Sequence, residues 1–63
     1  MLNLSLTQLE LQHLRHLISS HEMAEKKLNS YANSCNDPQV KQMFQQSAQS
    51  ASQSREKLIS FLA

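Results

Sequence analysis

The stretch YANSCNDPQVK, from Tyr31 to Lys41, decides how this chain folds. It holds Pro38, the single proline of a 63-residue sequence that contains no glycine. Such a chain has one strong place to interrupt a helix. The proline ring pushes the preceding residue, Asp37, out of the α region. The same ring suits the first position of a new helix, and Asp37 then stands where its carboxylate caps that helix. Cys35–Asn36–Asp37–Pro38 therefore reads as the turn between two helices.

Upstream, Thr7–Gln8–Leu9–Glu10 has the form of a capping box, in which the threonine oxygen accepts from the Glu10 amide and the glutamate reaches back. The pattern predicts a first helix from about residue 8 to about residue 33 and a turn over about 34–37. A second helix is predicted from about residue 38 to about residue 62. Two long helices joined by so few residues must fold back on each other. The expectation is one all-α domain over residues 1–63, an antiparallel two-helix hairpin. The Gln- and Ser-rich tract QQSAQSASQS (45–54) has weak helix support, and a disordered segment is the alternative there.

Turning about 100° per residue gathers Leu14, Leu17, Ile18, His21, Ala24, Glu25, Leu28, Ala32 and Cys35 on one side of the first helix. The second helix gathers Val40, Phe44, Ser47, Ala48, Ala51, Ser54, Leu58 and Leu62, with Arg55 at the margin. Pairing outward from the turn sets Leu28 near Phe44, Leu14 near Leu58, His21 near Ala51 and Glu25 near Ser47. Large side chains then meet small ones at mid-height, as dense packing requires.

A chain this short buries a small fraction of its surface and needs reinforcement. With one cysteine no intrachain disulfide forms. The CxxC and HxxxH spacings of structural metal sites are absent. Oligomerisation remains, and two hairpins make a four-helix bundle. The residues expected to carry self-association are Leu14, Ile18, His21, Leu28, Phe44, Ala51, Leu58 and Leu62, giving a homodimer or a higher homo-oligomer.

A net charge of +1 with 17% charged residues gives no basic footprint for nucleic acid. No apolar run reaches the roughly 20 residues of a membrane span, and MLNLSL lacks the basic flank of a signal peptide. The expectation is a soluble intracellular chain with no membrane or nucleic-acid partner. A free Cys35 fits a reducing compartment.

His21 and Glu25 lie four apart on the first helix and face the same way, so they are the candidate metal pair. A di-metal bundle wants carboxylates from its other helices too, and the second helix offers none inward. The competing reading makes them a hydrogen-bonded polar layer that sets register. His13 and His16 read as surface residues. Cys35 and the serines lack a base and an orienting partner, and no glycine-rich loop exists to hold phosphate. No enzymatic activity and no cofactor is expected.

Around the turn, Lys26–Lys27, Tyr31–Ala32, Cys35, Asp37–Pro38–Gln39–Val40–Lys41 and Ala48 form a pattern. With the opening Leu6, Thr7, Gln8 and Glu10 and the closing Leu58 and Leu62, it resembles the short spore coat proteins of the Coat F type from endospore-forming Firmicutes. The resemblance spans most of the chain and is most specific from Tyr31 to Lys41. It implies ferritin-like helical packing, a structural or assembly role in the spore coat, and other coat proteins as partners. This sequence departs from such relatives at His21, where they often carry a glutamate, and at Ala51 and Ser54, where they often carry histidines. Two other functions stay open: a ferritin-like metal module with ligands shared between chains, and an adaptor whose apolar stripe takes a partner helix.

Overall fold

A computed structural model describes residues 6–62. It contains two helices, α1 (Gln8–Ser34) and α2 (Pro38–Ile59), which pack against each other. No strand occurs among the described residues.

Both helix starts are fixed by side chains. The Glu10 amide donates to the Thr7 hydroxyl at 3.1 Å, and the Thr7 amide donates to Glu10 Oε1 at 2.9 Å. This is the reciprocal capping box expected from the sequence, and it satisfies two amides that the helix leaves without partners. At α2, Asp37 Oδ1 accepts from the amides of Gln39 at 2.9 Å and Val40 at 3.2 Å. Pro38 sits in the first turn, where its missing N–H costs nothing.

The connection is Cys35–Asn36–Asp37, extended at both flanks, with φ −89° and ψ 132° at Cys35 and φ −80° and ψ 119° at Asp37. No residue takes positive φ among those described, so the connection needs no glycine. The Cys35 thiol donates to the Asp37 carbonyl at 3.7 Å, a weak bond across the turn.

The Gln/Ser-rich tract from 45 to 54 is helical throughout, so the disordered alternative does not hold. α2 ends at Ile59, earlier than the expected Leu62. The Ser60 hydroxyl donates to the Lys57 carbonyl at 2.6 Å. The next amides close tighter turns, Phe61 onto the Leu58 carbonyl and Leu62 onto that of Ile59. Such i−3 bonds are a common way for a final turn to satisfy its carbonyls.

Burial along α1 follows a regular seam. Leu11, Leu14, Ile18, His21, Glu25, Leu28, Ala32 and Cys35 are all buried or half-buried. Their spacing alternates three and four, the 3.5-residue period of coiled-coil packing. α2 repeats it with Phe44, Ala48, Ala51, Arg55 and Leu58. The inward stripe of α2 thus runs through Arg55, which the sequence reading left at the margin. Val40, Ser47, Ser54 and Leu62, placed inward by that reading, are exposed, as is Leu17 on α1. The difference arises because a 100° wheel drifts about 20° per heptad from a packed 3.5-residue seam.

The two buried side chains among the described residues are alanines, Ala32 at 1% and Ala48 at 3% exposure. Alanine lets two backbones approach closely, and nothing large is enclosed around either position. The larger seam residues, such as Leu28 and Phe44, are only half-buried.

Candidate functional site

The most elaborate side-chain constellation is charged and lies between the helices. Arg55 reaches from α2 and sets Nη2 3.2 Å from Glu25 Oε1. Its Nη1 lies 3.5 Å from Glu22 Oε2. Glu22 also pairs with Lys26 one turn along, at 3.5 Å. The side chains of Arg55 and Glu25 are 26% and 27% exposed, so this pair is partly desolvated. Glu22 is wetter, and its contacts resemble ordinary surface pairs worth little. Glu22 and Glu25 share a side of α1 because residues three apart are neighbours on a helix. The planar guanidinium, with donors pointing several ways, can serve both carboxylates at once. Its Nε is buried and has no partner among the described residues.

This arrangement replaces the His21–Glu25 layer expected from the sequence. Glu25 is engaged across the seam by Arg55. His21 bonds within its own helix, Nδ1 donating to the Leu17 carbonyl at 2.8 Å. That bond selects the tautomer protonated at Nδ1. The polar layer is thus ionic and interhelical, with Arg55 as the member the sequence reading did not identify. The available signal was its position seven residues beyond Ala48, on the same heptad stripe.

The remaining expected site residues sit along the seam. Leu14, Ile18, Leu28, Phe44, Ala51 and Leu58 are all half-buried, and Leu62 is exposed beyond the helix end. Near the turn, Phe44 meets Tyr31 with ring centroids 5.7 Å apart and planes tilted 57°. This is one of the tilted geometries that the aromatic quadrupole favours. At the other end, Phe61 shares a shallow groove with Leu6, Leu14 and Leu17.

No three His, Cys, Asp or Glu side chains among the described residues come together to hold a metal ion. No helix among the described residues is long and apolar enough to cross a membrane. Glu10 titrates below the usual carboxylate range, held there first by the Thr7 amide and then by the Thr7 hydroxyl. No family model, curated protein or solved structure matches the chain.

Proposed function

We propose that this chain is a non-enzymatic structural protein, an antiparallel helical hairpin that works by associating with copies of itself into a four-helix bundle of ferritin-like packing. The observation that carries this reading is the missing core. Among the described residues the two buried ones are alanines, while Tyr31 and Met43 stand 53% and 54% exposed. An all-α domain of this size stabilises itself by enclosing Leu, Ile and Phe, at about 25 cal/mol per Å² of apolar area. Here those side chains are covered on one side, and a second hairpin supplies the other.

The antiparallel arrangement is supported by the order of the contacts. Residues on either side of the turn meet at Tyr31–Phe44, and Phe61 lies beside Leu6 and Leu14. A structural role is supported by how the polar side chains are used. Arg55, Glu22 and Glu25 pair with one another, His21 pairs with its own helix, and Thr7, Glu10 and Asp37 cap helices.

The Coat F-type pattern from Tyr31 to Lys41 suggests the spore coat as the setting, with other coat proteins as neighbours in the assembly. Size-exclusion chromatography with light scattering tests the association. The expected result is an oligomer at micromolar concentration; a stably folded monomer there would refute the reading. The setting is tested separately, by whether expression coincides with sporulation.

A further inference from the structure

We infer that one broad side of the hairpin is the association surface, that its occupant is the same side of a second copy, and that assembly closes at two chains. This rests on the antiparallel self-associating hairpin proposed above, and specifies which surface it uses.

The first argument is thickness. The Cα positions extend 47 × 20 × 11 Å. Two stacked helix layers, with axes 8–10 Å apart and Cα cylinders of radius about 2.3 Å, need about 13 Å or more. The molecule is therefore one layer deep, whereas a stable domain has at least two.

The second argument is area. A compact monomer of 7.2 kDa exposes about 4,100 Å². This chain exposes 5071 Å². The excess is close to the roughly 800 Å² that each partner contributes to a standard stable interface.

The third argument is sidedness. With α1 and α2 antiparallel, turning 100° per residue carries Leu17 and Tyr31 of α1 to the same side as Val40 and Met43 of α2. The groove that joins Leu17 to Phe61 directly records this side at the open end of the hairpin. Leu17, Tyr31, Val40 and Met43 are among the exposed large apolar residues. Between the two apolar ends the surface falls to small residues, Ala24 and Ser47. The opposite side is more charged: it presents Glu22 and Lys26 as an ion pair, and the same turn carries Arg15, Lys41 and Glu56 there, with Ile59 as an exposed apolar residue among them.

Glu10 and His13 line the groove at the open end, and the rest of this surface offers little to an acidic or basic partner. It does match itself, because apolar ends meet apolar ends and small middles meet in either two-fold orientation. A two-fold contact uses the same patch on both copies and closes at two. The outside is then the charged side and the Gln-rich back of α2. Leu9 and Met23 fall on the outer side of α1 as isolated apolar residues, which are ordinary on a protein surface.

Charge placed on either side tells the two apart. Leu17→Glu with Met43→Glu should raise the dimer dissociation constant at least 100-fold in sedimentation equilibrium, and Met23→Glu should change it less than threefold. Because a lone hairpin can lose its fold, intermolecular NOEs are measured in parallel on a half-labelled wild-type sample. The Met43 methyl should show contacts to the other chain, and the Met23 methyl none. A dimer insensitive to the double substitution, or one with contacts at Met23, overturns this surface and leaves self-association standing. Wild-type assemblies growing beyond two overturn the closure. A wild-type monomer overturns both this inference and the function it rests on, and would leave the side to a different partner helix.

Discussion

Arg55 and Glu25 are paired across the helical seam at 3.2 Å, each about three-quarters shielded from water. Removing the cation strands a carboxylate in a partly desolvated place. Arg55→Met should cost about 1–2 kcal/mol of unfolding free energy, between the values for exposed and buried pairs. Glu25→Gln should recover part of that loss when added to Arg55→Met. Urea unfolding of the four proteins in this cycle gives the coupling, expected near 1 kcal/mol. A coupling within about 0.3 kcal/mol of zero would show that the pair sets no register.

Asp37 is expected to be the more sensitive of the two caps. It accepts from two amides, and it starts the helix that packs against α1. Asp37→Ala should destabilise by about 1 kcal/mol, and Asp37→Ser by much less, since serine also caps well. Circular dichroism during thermal unfolding reads both. Equal midpoints for wild type and Asp37→Ala would remove the cap from the account.

The Thr7–Glu10 box is expected to depend on pH. The carboxyl of Glu10 is held below its ordinary value of 4.5 by the Thr7 amide. A lowered folded-state pKa means that the stabilisation is complete above the ordinary value and fades as pH falls through the folded one. Carbon-detected NMR titration should place Glu10 below a free glutamate, and Glu10→Gln should flatten this part of the acid response while keeping a side-chain acceptor. A Glu10 titrating like a free glutamate would contradict the geometry.

The Tyr31–Phe44 contact closes the turn end, with ring centroids 5.7 Å apart. Aromatic pairs contribute about 0.5–1.5 kcal/mol beyond area burial. A cycle of Tyr31→Leu and Phe44→Leu should return a coupling in that range. No coupling would mean that the rings are neighbours without a specific interaction.

The caps, the turn and the helical state of both segments were legible because each depends on a few adjacent residues. Thr7 with Glu10, and Asp37 with Pro38, act over three or four positions, and no distant partner can override them cheaply. The seam was half legible. Leu14, Ile18, Leu28 and Phe44 follow from apolar spacing alone, but Arg55 does not. An arginine at a margin on a helical wheel takes its place only when the seam's 3.5-residue period and two carboxylates on the other helix are known together. His21 was misread for the same reason. Its spacing to Glu25 is right for a shared site, but Arg55 engages Glu25 and the Leu17 carbonyl engages the imidazole.

The closed points of the seam are Ala32 and Ala48, and this inverts the usual pattern of mutational tolerance. In most cores the harmful change is truncation, because it leaves a void. Here almost nothing remains to be truncated. Ala48→Gly removes one methyl and costs mainly helix propensity, about 1 kcal/mol. Ala48→Leu has no space to enter and must push the helices apart along their length, loosening Phe44, Leu28 and the Arg55 pair with them. The helix pair should therefore tolerate loss at its centre far better than gain, and its spacing is set by the smallest side chains it has.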